Sequence, residues 1–187
     1  MTFIGKQEAQ ERAAEELLSS LQAWATVPAD HRAETPKRFV KMLKQMTERE
    51  EFNFTTFPAK SQDMIVISPI PFYTFCAHHI VPFYGVAHVA YVPDQEIAGL
   101  SKFVRAVKYE AKGFWVQEEL TDSIANHIES KLKPLGIGVV LQAEHMCMSM
   151  RGIQQPGVKT TTSTMRGVFA DHKKTAKAEF MGMIGLR

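Results

Sequence analysis

Residues 137–148 constrain this chain more than any other segment. Val139, Leu141, Ala143, His145 and Cys147 recur there at a period of two. A strand through them presents all five on one face. Its apolar members call for a core to pack against. The same face then carries an imidazole and a thiol, so the strand delivers two chemically active side chains to wherever it ends.

The rest of the chain supplies partners for that strand. Residues 6–24 read as a helix, with Leu17, Leu21 and Trp24 at helical spacing; Pro28 and Asp30 break it. A second helix starts near Thr35, a good N-cap followed by Pro36, with Phe39, Val40, Leu43 and Met46 as its apolar stripe. Residues 48–61 form a connector. Residues 64–67 are a short apolar run fit for a buried strand, and Pro69, Pro71 and Pro82 bracket an irregular segment holding Cys76-Ala77-His78-His79. Residues 84–92, rich in β-branched and aromatic side chains, form the next strand. Ser101 caps a helix with Phe103, Val104 and Val107 on one face. Another helix runs from about 116 to 132 with Leu120, Ile124 and Ile128 four apart. Pro134 and Gly136 stop it. A last strand is expected over 158–170, where Thr160, Thr161, Thr162 and Thr164 favour β structure. The expected organisation is a helical region over 1–61, then an α+β region over 62–187 in the order ββααββ. The tail 171–187 is basic and then apolar, a closing segment or an oligomer contact.

Bulk properties exclude several function classes. With 187 residues, 45% hydrophobic and 22% charged, the chain can bury a real core and is not broadly disordered. A net charge of +2 is too small for a nucleic-acid footprint. No apolar run approaches the roughly 20 residues of a membrane helix, and residues 1–10 lack the apolar core of a signal peptide. The expected location is the cytoplasm. There the two cysteines, Cys76 and Cys147, are thiols or metal ligands rather than a disulfide.

Cys76 and His79 stand in a C-x-x-H turn that can aim both side chains at one point. With Cys147 they make two thiolates and an imidazole, a zinc set. Three protein ligands leave a fourth position for water, as catalytic sites do. Two buried free cysteines are the ordinary alternative. His78 and His145 lie beside these residues and are candidate proton donors. His88 reads as structural, and His31, His127 and His172 carry no motif. Ser101, Lys102 and Arg105 sit in the first turns of a helix, where backbone N–H groups and cations favour phosphate; Arg38 and Arg151 are further candidates. Glu118, after Gln117, lies at a helix start, where an acidic residue is favourable on dipole grounds alone.

Cys-Ala-His-His at 76–79, Val-Pro-Phe-Tyr-Gly at 81–85, His-Val-Ala-Tyr-Val-Pro at 88–93, Gly-Leu-Ser-Lys at 99–102, Val-Gln-Glu at 116–118 and His-Met-Cys-Met-Ser-Met-Arg-Gly at 145–152 together resemble the GTP cyclohydrolase I family. Glu-Thr-Pro-Lys-Arg at 34–38 extends the match. The resemblance implies the tunnelling fold, with an antiparallel ββααββ sheet and helices on one face, assembled as a toroidal homodecamer with active sites between subunits. It implies conversion of GTP and water into formate and 7,8-dihydroneopterin triphosphate. Cys76, His79 and Cys147 then correspond to zinc ligands and His78 and His145 to proton-transfer residues. Glu118 corresponds to the carboxylate gripping guanine, with Gln117 lining the pocket. Lys102, Arg105 and Arg151 correspond to triphosphate contacts, with Ser101 beside them and Arg38 reaching in from another subunit. In that chemistry zinc acidifies a water for attack at C8, a histidine protonates the ring, and a buried carboxylate rejects adenine, which lacks the matching donors.

Among the departures from the family pattern, which include Thr74 where Ser is common and a usually basic segment that reads Lys-Gly-Phe-Trp-Val at 112–116, two matter most. Ala77 stands where the family has Glu, and Glu119 where it has Arg. They motivate a second reading, a related enzyme acting on another purine nucleotide. A third reading is a non-catalytic binding or regulatory homologue. Retention of both His78 and His145 argues against it.

Overall fold

In the computed structural model, residues 3–171 and 175–186 are described; His172, one of the histidines without a motif, and part of the basic tail lie outside them. The chain divides into two compact units, Met1–Glu48 and Arg49–Arg187.

The first unit is helical: α1 (Phe3–Ser19), a 3-10 turn over Gln22–Thr26, α2 (Ala29–Arg32) and α3 (Thr35–Thr47). The α3 stripe turns inward as its spacing predicts, with Val40 buried and Phe39, Leu43 and Met46 half-buried. Two expectations fail here. Thr35 does not cap α3: it is the first helical residue, and its hydroxyl donates to the His31 carbonyl of the preceding turn at 3.0 Å. Leu17 and Leu21 are 57% and 51% exposed in the single chain, so the α1 stripe is not a core face.

The second unit is built on a five-stranded sheet in the order β5-β2-β3-β6-β7. Its strands are β2 (Ile65–Cys76), β3 (Pro82–Val92), β5 (Phe114–Trp115), β6 (Gly136–His145) and β7 (Lys159–Gly167). All neighbours are antiparallel except β2 and β5. Helices α4 (Leu100–Glu110) and α5 (Gln117–Leu132) join β3 to β6, which yields the ββααββ order. A separate ribbon pairs β1 (Thr56–Pro58) with β4 (Glu96–Ala98), so part of the expected connector is ordered strand.

β2 is far longer than its apolar start indicates and runs through both prolines to Cys76. The reason is its neighbourhood. β5 pairs only with Phe75 and Cys76, so the earlier part of β2 is a sheet edge, where a missing N–H costs no ladder bond. A register shift between Ile67 and Ile70 absorbs the Ser68-Pro69 step. Close approach of β3 and β6 demands glycine at position 85, where a Cβ would lie 1.9 Å from the Gln142 carbonyl oxygen.

The period-two face of β6 is inward as expected. Val139, Leu141 and Ala143 join Phe103 and Val107 of α4 and Leu120, Ile124 and Ile128 of α5 in the main core. Each buried Val, Leu, Ile or Phe among them contributes about 1.5–3 kcal/mol. The opposite face carries a smaller core of Ala90, Val140, Phe169 and Phe180. The last of these comes from α7 (Ala176–Met183), so a C-terminal helix also packs on the second face. No helix among the described residues is long and apolar enough to cross a membrane.

Candidate metal centre and its surroundings

The C-x-x-H segment is the loop of the β2–β3 hairpin. It is closed by two backbone bonds: Cys76 N–H donates to Val81 O at 2.9 Å, and Ile80 N–H to Cys76 O at 2.9 Å. Closing so short a loop forces Ile80 to φ 54°, a conformation that costs a β-branched residue about 1–2 kcal/mol. The turn sets Cys76 inside, 4% exposed, and leaves His78 and His79 at the surface. Ala77 N–H donates to Trp115 O at 3.0 Å, which docks β5 against the loop. Because α5 starts at Gln117, directly after β5, the same contact places Gln117 and Glu118 near the loop.

Cys147 arrives differently from its expected position. β6 ends at His145, and Cys147 lies on α6 (Met146–Ser149), a single helical turn. Both ladders run out there: Phe83–His145 is the last pair recorded toward β3, and Glu144–Lys159 the last toward β7. The preceding β3 residue, Pro82, has no N–H to continue the ladder. His145 and Cys147 therefore do not share a strand face. The turn nevertheless carries the thiol back to the hairpin: ligand atoms of Cys76, His79 and Cys147 all lie within 4.8 Å of one another.

The donor set fits a zinc-like ion. Ligand atoms of tetrahedral zinc, with Zn–S about 2.3 Å and Zn–N about 2.0 Å, sit roughly 3.5–4 Å apart, so the observed cluster needs only small adjustments. Burial, then the adjacent Cys76 thiol, raises the Cys147 pKa above its ordinary value. A thiol held in this way gives up its proton when a cation compensates it, which is the situation of a metal site. Both cysteines are free.

The neighbours are arranged around this cluster. His78 Nδ1 lies 3.7 Å from Cys76 Sγ. His145 stacks on Phe83 with ring centroids 4.4 Å apart and planes 7° from parallel, and its Nε2 lies 2.7 Å from Gln117 Oε1. Burial lowers the His145 pKa, and the Glu118 carboxylate partly offsets that. Arg151 is exposed and close enough for its charge to act on Cys147. Glu118 is exposed in the single chain, whereas Gln117 is 2% exposed. Ser101, Lys102 and Arg105 occupy the first turns of α4, and Arg38 lies on α3 of the other unit; none belongs to the cysteine–histidine cluster. His88 is buried and hydrogen-bonds through Nδ1 with the Ser68 hydroxyl, a packing role.

Three contributors escaped the sequence reading. Phe83 holds the His145 ring, and Thr121 and Thr162 hold Gln117. Only Thr121, four residues after Gln117 on the same helix, left a trace in the spacing.

The family model of GTP cyclohydrolase I matches residues 10–185. GTP cyclohydrolase 1 of Hydrogenobaculum sp. is 46% identical over 153 residues, covering 81% of this chain and 84% of that protein. The enzyme of the same name from Aquifex aeolicus is 44% identical over 153 residues, covering 81% and 83%. That from Streptococcus mutans is 46% identical over 157 residues, covering 81% of each. A match of this extent, on a ββααββ sheet whose hairpin loop gathers Cys76, His79 and Cys147, makes the chain a member of the GTP cyclohydrolase I family.

Proposed function

We propose that this chain hydrolyses GTP to formate and 7,8-dihydroneopterin triphosphate, using a zinc ion held by Cys76, His79 and Cys147. The observation that carries the reading is the convergence of these three donors within 4.8 Å in a chain matched by the family over residues 10–185. When bound, the metal supplies Lewis acidity and an acidified water for attack on purine C8. His145 and His78 move protons to and from the ring as it opens. Glu118 accepts the guanine N–H donors, a pattern adenine lacks. Lys102, Arg105 and Arg151 neutralise the triphosphate and hold the base in line with the ligand cluster, with Ser101 beside them. A reducing compartment such as the cytoplasm suits the site, since both ligand cysteines must stay reduced.

We further propose the homodecamer, with Arg38 of a neighbouring subunit completing the triphosphate site. The exposed Tyr73–Tyr84 stack and Leu100, at 66% exposure, are apolar surface available for such assembly. Light scattering should give a particle of roughly ten chain masses.

A zinc-replete GTP assay with identification of formate and of the oxidised, fluorescent pterin tests the activity. Turnover by the wild type and its loss in Cys147→Ala support it. No formate from the metal-loaded wild type refutes it. Comparison of GTP with other purine triphosphates tests the second reading motivated by Ala77 and Glu119.

A further inference from the structure

Gln117 opens α5 with a buried side chain, and every direction around its amide is specified. Nε2 faces three acceptors: Leu141 O at 3.3 Å, Thr160 O at 3.1 Å and Thr162 Oγ1 at 3.1 Å. Two of these are backbone carbonyls, which cannot donate. Turning the amide over would press Oε1 against both carbonyl oxygens. The amide nitrogen is therefore fixed toward β6 and β7, and Oε1 toward His145.

The hydroxyls agree with that direction. Thr121 Oγ1 donates to the Gln117 carbonyl at 2.7 Å. In the 2.6 Å contact between Thr121 and Thr162, the Thr162 hydroxyl is then the donor. That leaves the Thr162 oxygen free to accept from Gln117 Nε2. Since Oε1 is an acceptor only, its 2.7 Å contact with His145 Nε2 requires a proton on Nε2. Stacking on Phe83 holds the ring plane.

We propose that Gln117 is a positioning residue that holds His145 in the Nε2–H tautomer, with Nε2–H donated to Gln117 Oε1 and Nδ1 left as the ring nitrogen available to substrate. This rests on the reading of His145 as a proton-transfer residue. A direct guanine contact by the Gln117 amide nitrogen would require breaking bonds already made to β6 and β7.

Two-bond 1H–15N correlation on metal-loaded, 15N-histidine-labelled protein reads the tautomer, with His145→Asn to assign the signals. The expected pattern for neutral His145 is a protonated-type Nε2 and an unprotonated-type Nδ1; the reverse pattern overturns the proposal. In steady state, Gln117→Met is expected to lower kcat about 10–100-fold while KM for GTP changes less than about threefold. A raised KM with kcat retained makes Gln117 a substrate contact and also overturns it. Should Gln117→Met fail to fold, Thr162→Val, which removes one acceptor without changing shape, is expected to lower kcat with KM kept; a KM effect there counts against the proposal. If the wild type does not turn over GTP, the functional reading fails, while the tautomer is still decided by the spectrum.

Discussion

Replacing Glu110 by Gln tests how α4, α5 and the segment after the first unit are held together. Glu110 is 6% exposed and sits on the last turn of α4. Its Oε1 accepts from His127 Nδ1 at 2.7 Å, and its Oε2 from Ser123 Oγ at 2.6 Å, both donors on α5. Arg49 Nη2 lies 3.3 Å from Oε2. Gln has one acceptor oxygen, so one side must lose its bond. If the new NH2 faces Ser123, the hydroxyl can rotate and accept, but the guanidinium of Arg49 then meets a donor. If it faces His127, the imidazole must present a lone pair and stay neutral. Either way the network loses its charge-assisted character, worth about 1.5–3 kcal/mol per bond to a charged group; Arg49, 37% exposed, adds at most about 1 kcal/mol. The expected loss is about 2–4 kcal/mol, or roughly 5–15 °C in Tm for a chain of this size.

The sign with pH follows from Glu110 itself. Burial pushes its pKa up, but hydrogen bonds from His127 and Ser123 and the charge of Arg49 outweigh it, and the net shift is downward. A carboxylate with a lowered folded pKa adds stability above its unfolded pKa and loses it as pH falls through the folded value. The difference between wild type and Glu110→Gln should thus be full at pH 7 and shrink as pH falls below about 4. Thermal unfolding followed by circular dichroism, at fixed chain concentration and with chelator present throughout, measures both. A Tm change under about 1 °C at pH 7, or a difference that survives undiminished in acid, would refute the reasoning.

Cys147→Ala should abolish stoichiometric metal binding and lower activity by at least about a hundredfold; elemental analysis after gel filtration checks it, and full retention of zinc would remove Cys147 from the ligand set. Gly85→Ala drives a Cβ to 1.9 Å from Gln142 O and 2.7 Å from Ala143 Cα, both backbone, so β3 and β6 must separate. The expected cost is about 3 kcal/mol or more, read as a lowered Tm or insolubility. Ile80→Gly relieves a φ of 54° at a residue 56% exposed. Its gain of about 1–2 kcal/mol is set against about 0.5–1 kcal/mol of added chain entropy, so stability by denaturant titration should hold or rise slightly; a clear loss would show the strain argument to be wrong.

How much of this was legible in the sequence depended on whether the signal was local. The inward face of β6 follows from period two alone, and α5 from Leu120, Ile124 and Ile128. The three metal-ligand candidates were found by residue type and spacing. Partnership was not legible. Cys147 leaves the strand because β3 begins at Pro82 and β7 at Lys159, facts about neighbours rather than about residues 145–148. β2 runs through Pro69 and Pro71 because it is an edge there. Leu17 and Leu21 have helical spacing whether or not anything covers them. Two- and three-residue strands such as β5, β1 and β4 leave no period to detect, yet β5 sets the position of the α5 N-terminus.

That short strand also bears on the two departures from the family pattern. Ala77 is exposed, and what it gives the site is its backbone N–H to Trp115 O. Any residue but proline makes that bond, so the missing carboxylate leaves the docking of β5, and with it the placement of Gln117, intact. Glu119 is exposed as well, one residue beyond Glu118 on the first turn of α5. Neither side chain is among the cysteine–histidine ligands, nor among the hydrogen bonds that orient His145. What Glu119 does alter is the field: two adjacent carboxylates now share a helix N-terminus whose dipole favours negative charge. The departures therefore change the charge at the N-terminus of α5 and leave the arrangement of Cys76, His79 and Cys147 and the proposed tautomer of His145 as they are.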